Sequence, residues 1–533
     1  MKKSSAMEQG LSSSLTVSDG PSRSPTPDTG AGIPIFFKVE ERVKKVHFTG
    51  HTMADLRALF FSKYKLAGWS MDNIGQLHIK DQTTNIVYEL ERVEDLYSYA
   101  VIEVRGPQLS RDPSGFGYFM LGKRMKLAVA MVGLPARGKS FTARKVSRYL
   151  NWLGVPTQVF NVGSYRRKRL GAHQPSDFFD PDNAAGSSAR MHMAVAALDD
   201  MVNWLDSGGR VAIYDATNST EQRQKLISQR CSQEGFDLMW VESICDDDDI
   251  IEANIRETKL TSPDYEGVDP EAAAADFRNR IGQYKKYYHT IEATNATFVK
   301  LFDAGRMVTS NNIKSYLQSK IVFFLSNLHT RARRIWLSRH GESEFNREER
   351  IGGDSNLTDA GAEYSRKLAD WVMEQAATED QPVIVWTSTL QRTIETAQYI
   401  PTAKVHLRAL DEIDAGEFDG MTYGEIEELH PEEFRLRSYD KLNYRYPRGE
   451  SYNDVIARLE PVIFELERTR NPVLIIAHQA VQRCLYAYLM NREPSEVPFI
   501  PIPLNQVIQV EPRAYGAQET RFNIMQHEHN DSS

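Results

Sequence analysis

The sequence predicts an α/β protein: two successive doubly wound α/β domains, preceded by a small domain built mostly of strands. Three observations carry this reading. The run Lys126 to Val132 (KLAVAMV), apolar after its first residue, enters a glycine-rich loop and then a helical pattern to about Leu153. A second apolar run, Arg334 to Ser338, delivers Arg339-His340-Gly341-Glu342 to its end, and a third, Val473–Ala477, delivers His478-Gln479. Strands and helical stretches alternate between them, the pattern of a parallel sheet whose ligands sit beyond the carboxyl ends of its strands.

Length and composition bound the rest. A chain of 533 residues is too long for one core, and roughly three or four domains are expected. A net charge of −8 speaks against a general nucleic-acid binder. The three cysteines, Cys231, Cys245 and Cys484, have no CxxC spacing, which excludes a disulfide framework and a cysteine-based zinc site. No apolar run approaches the ~18 residues of a membrane span, and no signal-peptide core opens the chain, so a cytoplasmic protein is expected.

Residues 1–33 are rich in Ser, Pro, Gly and Thr and poor in large apolar residues, a composition that cannot offset its own ordering entropy; they are expected to be disordered. Ser24-Pro25 and Thr26-Pro27 suit proline-directed phosphorylation. Residues 34–106 read as ββαβββ: strands over Ile35–Val39 and Val43–Phe48, a helix over Met53–Tyr64 with Leu56, Leu59, Phe60 and Tyr64 on one face, then strands over Gln76–Lys80, Asn85–Leu90 and Ala100–Val104. This order implies a ubiquitin-like (β-grasp) module. The stretch IKDQTTNIVYELERVEDL resembles the N-terminal domain of actin-interacting and Src-signalling scaffold proteins, which implies a protein partner. Residues 107–124 read as a linker.

Gly133 to Ser140 spell GLPARGKS, a GxxxxGKS loop between a buried strand and a helix. Backbone amides and the helix N-terminus there cradle phosphates, Lys139 reaches the β/γ-phosphates, and the Ser140 hydroxyl meets Mg²⁺. Two further strands, Thr157–Val162 and Arg210–Tyr214, lead to Tyr165-Arg166-Arg167 and to Asp215-Ala-Thr217-Asn218. Asp215 stands where such a fold keeps its metal-side acid. Arg166, Arg167, Arg190 and Arg223 near the strand ends suit a phosphorylated small substrate. A strand over Leu238–Ile244 ends at Cys245, and the acidic run Asp246–Asp249 reads as a solvated turn or helix start rather than a metal site. Helical patterns follow over Asn254–Lys259 and Asp276–Tyr288, and residues 321–331 read as the connection to the second domain.

In that domain a neutral imidazole at His340 is a competent nucleophile toward phosphorus, and the adjacent guanidinium can grip phosphoryl oxygens bidentately. The strand Val383–Trp386 ends before Arg392 on a helix start. Arg339, His340, Arg392 and His478 can therefore converge, and Glu412 sits in DEIDAG.

From about Lys126 to Arg513 the sequence resembles the 6-phosphofructo-2-kinase/fructose-2,6-bisphosphatase family. The segments that carry the resemblance are GLPARGKS, RYLNWLGVPTQVFNVGSYRR, YDATNST, ESICDD, SPDY, LSRHGESEFN, RIGGDS, QRTIETA, EIDAGEFDGMTYGEI, YRYPRGESY, RLEPVIFELER and AHQAVQRCLYAY. The resemblance implies a P-loop kinase domain (125–330) that phosphorylates the 2-hydroxyl of fructose 6-phosphate with ATP and Mg²⁺. It also implies a histidine-phosphatase, phosphoglycerate-mutase-like domain (331–513) that removes that phosphate through a phosphohistidine, with 514–533 a tail. Fructose 2,6-bisphosphate, a regulator of glycolysis and gluconeogenesis, is then product of one half and substrate of the other, and a homodimer is expected. Carried over by motif, Gly133, Leu134, Pro135, Ala136, Arg137, Gly138, Lys139, Ser140, Asn254 and Lys259 hold the nucleotide, Ser140 and Asp215 the metal, and Asp215 and Cys245 belong to the kinase active site. Arg167, Arg190, Thr217, Arg223, Lys259, Arg280 and Tyr284 match the fructose 6-phosphate pocket. His340 matches the phosphorylated nucleophile and Glu412 the proton donor. Arg339, Asn346, Gly352, Arg392, Tyr423, Arg437, Lys441, Tyr452, His478, Gln479 and Arg483 match the anion pocket of the phosphatase.

The departures are few. Ser140 replaces the Thr usual in vertebrate members, Ser338 replaces a Cys, Lys168–Ser188 differs considerably, and the N-terminal module is additional. A polynucleotide kinase-phosphatase would need a DxDGT-type aspartate motif, which is absent. A scaffold with a silent half sits poorly with retention of Lys139, Asp215, His340, Glu412 and His478.

Overall fold

In the computed structural model the described residues are 33–39, 42–48, 56, 58–60, 77–80, 87–89, 101–104, 126–180, 182–256, 263–292, 295–329, 333–513 and 516–526. They fall into two units, residues 1–109 and 110–533. In the first, β1 (Ile33–Val39), β2 (Arg42–Phe48), β3 (Leu77–Lys80), β4 (Val87–Glu89) and β5 (Val101–Val104) form one sheet in the order β2-β1-β5-β3-β4. β1 pairs antiparallel with β2, Ile33 opposite Phe48, and parallel with β5. Residues 56 and 58–60 are helical, and Leu56 and Phe60, one turn apart, are both buried. The Ser-Pro and Thr-Pro pairs and the expected linker lie outside the described residues.

The second unit holds two six-stranded sheets. In the first of these, β6 (Leu127–Val132) is buried along its whole length. Its side chains alternate between two apolar clusters, Leu127, Val129 and Met131 in one and Ala128, Ala130 and Val132 in the other. Both faces of the strand are therefore covered, which is why it reads as an unbroken apolar run. The sheet order is β11-β10-β9-β6-β8-β7, with β7 (Thr157–Asn161), β8 (Val211–Asp215), β9 (Asp237–Ile244), β10 (Phe298–Phe302) and β11 (Met307–Asn311). β6 to β10 are parallel, while β11 is antiparallel to β10. The parallel sheet expected from sequence thus carries one antiparallel edge strand. Only the four residues Asp303, Ala304, Gly305 and Arg306 join β10 to β11, too few for a crossover.

The helices of this half are α1 (Lys139–Trp152), α2 (Val162–Leu170), α3 (Ala184–Asp206), α4 (Glu221–Glu234), α5 (Asp248–Asn254), α6 (Pro270–Lys285) and α7 (Tyr316–Ser326). Asp247 caps α5 by accepting from the amides of Asp249 and Ile250, so the acidic run is a helix start. α6 begins earlier than its apolar pattern suggests because Asp269 caps it and Pro270 takes its first turn. Residues 321–326, read as part of a connector, are the second half of α7. A Ser315–Gln318 capping box starts that helix, and Leu317, Ile321, Phe324 and Leu325 are buried.

The second sheet has the order β14-β13-β15-β12-β16-β17. Its strands are β12 (Ile335–Arg339), β13 (Ile384–Thr387), β14 (Lys404–His406), β15 (Val473–Ala477), β16 (Gln506–Arg513) and β17 (Gly516–Asn523). The first four are parallel and the last two antiparallel. Residues 516–523, read as tail, form the edge strand; their polar sequence GAQETRFN carries no apolar run, and the hairpin with β16 supplies the pairing. The helices are α8 (Glu344–Arg347), α9 (Asp359–Ala376), α10 (Gln391–Ala397), α11 (Tyr423–Leu429), α12 (Pro431–Tyr439), α13 (Tyr452–Arg468) and α14 (Gln479–Met490).

The two halves share one apolar cluster, which runs from Leu127 and Val146 to Ile335, Leu459 and Leu485. α1 is the joint. The Tyr149 ring lies 5.6 Å from that of Phe464 on α13, Trp152 Nε1 donates to the Cys484 carbonyl at 2.9 Å, and Lys145 and Arg148 reach Glu467 on α13.

Candidate active sites

The loop after β6 is shaped by close approach. Gly133 has φ 139°, and a Cβ there would lie 2.4 Å from the Ser243 carbonyl oxygen, so only glycine fits. Gly138, left-handed at φ 77°, occupies the N-cap of α1 without a side-chain cap, which leaves the first amides of that helix facing the loop. Lys139 is buried and its ammonium donates to the Leu134 carbonyl at 2.6 Å. The Asn254 side chain donates to the Ala136 carbonyl at 3.1 Å, and the Gly133 amide donates to the Thr217 carbonyl at 3.0 Å. Asn254 and Thr217 are thereby both tied to the loop. Asp215, at the end of β8, is buried and accepts from the Asn161 amide. Lys259 lies outside the described residues.

Cys245 ends β9 and lines a cavity with Arg137, Gly138, Phe141, Asn254 and His329. Burial pushes its thiol up, so it stays protonated and is no nucleophile. Its place is the wall of a cavity beside the loop, a reason for the residue that its sequence context does not supply.

The arginines gather around a residue that sequence reasoning did not single out. Asp264, in SPDY, pairs with Arg166, lies 3.6 Å from Arg167 Nη1 and 3.8 Å from Arg280 Nη1. Arg280 stacks on the Phe179 ring at 3.5 Å, and the Tyr284 ring lies 6.2 Å from the same ring. Burial holds Arg190 below the usual guanidinium range; Tyr284 opposes this, and the charges of Arg223 and Arg280 add to it. Arg167, Arg190, Arg223, Arg280 and Tyr284 thus lie in one cluster, with Asp264 as the carboxylate that lets so many cations assemble. The SPDY segment was the available signal, but nothing local shows three arginines converging on its aspartate.

In the second sheet, β12 and β15 run parallel and adjacent, and each ends in a histidine. The rings of His340 and His478 are 5.1 Å apart. His340 Nδ1 is 2.7 Å from the Gly341 carbonyl, which assigns its proton to Nδ1 and leaves the Nε2 lone pair facing Arg392 Nε at 3.2 Å. His478 Nδ1 receives the same Arg392 Nε at 3.2 Å, and its Nε2 is 2.8 Å from the Ser388 hydroxyl. Burial, then Arg392 and nearby cations, hold both imidazoles well below their usual range, so both are neutral at neutral pH. Burial lowers Arg339 to about 10, opposed by Glu412 and reinforced by Arg483 and Arg392. Glu412 accepts from the amides of Gln479 and Ala480, at 3.0 and 3.1 Å, on the first turn of α14. Arg458, unrecognised in the sequence, donates to the carbonyls of Asp411 and Glu412 and so fixes that loop.

Gly352 belongs to a supporting loop. At φ 72° a Cβ would strike Asp419 Oδ1, which accepts from the Gly353 amide at 2.7 Å, and the Gly353 carbonyl holds Arg392 Nη1 at 2.7 Å. Asn346 Oδ1 is engaged in a capping box with Ser343. A second cationic group lies further out. Arg437 donates to the Tyr446 and Tyr423 hydroxyls, both at 2.8 Å, and Arg483 donates to the Tyr452 hydroxyl at 2.9 Å. Burial lowers Lys441 to about 8, helped by Arg437 and Arg483.

Lys441 gives a pH signature. Its folded value lies below the unfolded ~10.4, so its burial cost is fully present below pH 8 and is relieved as pH rises toward 10.4. A bound phosphate needs the charged form. KM for a phosphorylated substrate of this site should therefore rise by up to about 10-fold per pH unit above 8, with kcat less affected; steady-state kinetics from pH 7 to 9.5 would show it, and a flat KM would exclude Lys441 as an anion ligand.

Comparison with known proteins agrees with this arrangement. A family model for 6-phosphofructo-2-kinase matches residues 118–332, and one for the histidine phosphatase superfamily (branch 1) matches residues 335–525. A 6-phosphofructo-2-kinase/fructose-2,6-bisphosphatase of Gallus gallus is 47% identical over 394 residues, 73% of this chain and 83% of the relative. A protein of the same name from Arabidopsis thaliana is 48% identical over 414 residues, 76% of this chain and 55% of the relative. A fructose-2,6-bisphosphatase of Saccharomyces cerevisiae is 47% identical over 403 residues, 75% of this chain and 88% of the relative. With a P-loop and a paired-histidine site in one continuous unit, and relatives matched over most of their length, the chain belongs to the 6-phosphofructo-2-kinase/fructose-2,6-bisphosphatase family.

Proposed function

We propose that the protein makes fructose 2,6-bisphosphate from ATP and fructose 6-phosphate, and hydrolyses it back through a phosphohistidine on His340. One observation carries the phosphatase half: a buried, neutral imidazole whose Nε2 faces a guanidinium, within a cluster that also holds Glu412. Such a nitrogen attacks the 2-phosphoryl group while Arg392 and Arg339 take up the charge on its oxygens. The sugar oxygen leaves with a proton, which Glu412 is placed to supply, and the same carboxyl then activates the water that frees His340. The cations Arg437, Lys441 and Arg483 receive the 6-phosphate.

The kinase half fits a nucleoside triphosphate. The glycine-only approach at Gly133 and the uncapped start of α1 provide room and amides for its phosphates. Lys139 and Ser140 close the loop, with Arg137, Cys245 and Asn254 beside it in the adjoining cavity. Among the described residues no group of three His, Cys, Asp or Glu could hold a metal by itself. Mg²⁺ neutralises phosphate charge with one or two protein ligands and the nucleotide's own oxygens; Ser140 and Asp215 would be those ligands here. Arg167, Arg190, Arg223, Arg280, Thr217 and Tyr284 orient fructose 6-phosphate, and Lys259 joins both substrates.

The Saccharomyces relative bears the phosphatase name alone, so the two activities need separate tests. Full-length protein with ATP, Mg²⁺ and fructose 6-phosphate should form the bisphosphate, and Lys139→Ala should lower that rate by about 10²–10³-fold with the phosphatase rate unchanged. No bisphosphate formation by the wild-type chain would refute the kinase reading.

We further propose that residues 34–106 are a β-grasp module that binds a protein partner. The sheet order with parallel β1 and β5 supports this. We divide the remainder into a linker over 107–124, a kinase domain over 125–330 and a phosphatase domain from 331, which the β16–β17 hairpin extends beyond 513. A homodimer and a cytoplasmic location complete the reading. Three buried, unpaired cysteines suit a reducing compartment, and no described helix is long and apolar enough to cross a membrane.

A further inference from the structure

The segment after α14 meets three cations of the phosphatase pocket. The carbonyl of Ile500 accepts from Arg483 Nε at 2.8 Å, and the carbonyl of Ile502 accepts from Arg339 Nη1 at 3.2 Å. Between the buried Pro498 and Ile500 stands Phe499, whose ring centroid is 5.6 Å from Lys441 Nζ. Phe499 is 68% exposed, more than any other large apolar side chain among the described residues. Core packing therefore does not explain a phenyl ring at this position. Its backbone is pinned on both sides while the ring stands over a lysine that no described carboxylate pairs with.

The surroundings of Lys441 are unusual for an anion site. Its neighbours are Arg437 and Arg483, whose own partners are tyrosine hydroxyls and a backbone carbonyl. Three cations thus lie together, and the ring stands 5.6 Å from one of them. Partial exclusion of water strengthens the pull of an ammonium on a phosphate, and a ring face stabilises the cation while the site is empty.

We propose that Phe499 is a positioning residue of the phosphatase: its ring shields Lys441 and so sets the affinity for the phosphoryl group that lies away from His340. The inference deepens the phosphatase reading above and rests on it. Phe499 touches neither the nucleophile nor the transferred phosphoryl group. It selects substrates that carry a second phosphate and leaves the rate of the chemical step alone.

The test uses the full chain with fructose 2,6-bisphosphate, comparing wild type, Phe499→Ala and Phe499→Tyr. Wild type that releases no phosphate would sink the phosphatase reading itself, and this inference with it. With wild type active, Phe499→Ala should raise KM about 5- to 10-fold with kcat within about two-fold, as expected for loss of a uniform binding contribution. The pH at which KM begins to rise should move upward from about 8, because a solvated ammonium keeps its proton longer. Phe499→Tyr, which keeps the ring face, should restore both quantities. An unchanged KM and pH profile in Phe499→Ala, or a fall in kcat at constant KM, would overturn the proposal. Kinase turnover of each variant reports that the chain is folded.

Discussion

Replacing His340 by alanine should lower phosphate release from fructose 2,6-bisphosphate by about 10³-fold or more and leave formation of the bisphosphate intact. The expectation follows from what else the site contains. His478 is the only other imidazole beside the reacting position among the described residues; its Nε2 is engaged by the Ser388 hydroxyl, and its Nδ1 shares Arg392 Nε with His340. Cys484 is fully buried and its thiol is held protonated, beyond the usual thiol range. Glu412 is bound to the start of α14 by two amides. No group is therefore poised to substitute. Bisphosphate labelled at the 2-phosphate should leave label on the wild-type chain and none on His340→Ala. Label on the variant would assign the nucleophile to His478. Because imidazole neutrality is maintained by burial and by the cations nearby, wild-type turnover should persist into more acid solution than a solvent-exposed histidine would allow.

A second large effect is expected far from either reacting centre. Glu467 on α13 is buried and accepts from Lys145 Nζ at 2.8 Å, Arg148 Nη2 at 3.0 Å and the Tyr488 hydroxyl at 2.6 Å. Burial alone would push this carboxyl up, but Lys145 and Arg148 overcome it and hold the group well below the usual carboxylate range. The lysine bears the cost, lowered by burial to about 8 despite Glu467. Glu467→Gln leaves two buried cations facing a neutral amide and should destabilise the unit by about 3–5 kcal/mol. Lys145 and Arg148 sit on α1, and Glu467 and Tyr488 on α13 and α14, so the loss should fall on both halves. Thermal inactivation of the variant should come at a lower temperature than in wild type, with kinase and phosphatase activity lost together. A cost under about 1 kcal/mol, or loss of one activity alone, would show that the cluster does not join the halves. Converting Lys145, Arg148 and Glu467 together to apolar residues of similar volume should cost far less than the single change.

Much of the architecture was legible because its signals are local. β6, β12 and β15 are buried on both faces, so each reads as a short apolar run, and Gly133, His340 and His478 follow directly after them. Gly133 and Gly138 both take positive φ in their own loop, although the atom that excludes a Cβ at Gly133 is the Ser243 carbonyl oxygen on β9. Edges were harder. β11 turned antiparallel through a four-residue connection, and β17 is mostly polar, with only Ala517 and Phe522 packing on the core, because an edge strand takes its pairing from one neighbour.

Sites divide along the same line. The identities of His340, His478, Arg392, Lys139 and Asp215 came from motifs a few residues long. Their working states did not. The neutrality of His340 depends on burial first and then on Arg392, 52 residues away, whose guanidinium is held in turn by the Gly353 carbonyl and Asp419 beneath it. Asp264 gathers Arg166, 98 residues away, into the pocket of Arg167 and Arg280. Phe499 reaches Lys441 across 58 positions of the chain. Sequence pattern thus sufficed for which chemical groups stand at the strand ends, since strand, loop and helix periodicity are local properties. Charge state, counter-ions and the joint through α1 were decided by folding, because burial and Coulomb interactions act between side chains that chain order leaves far apart.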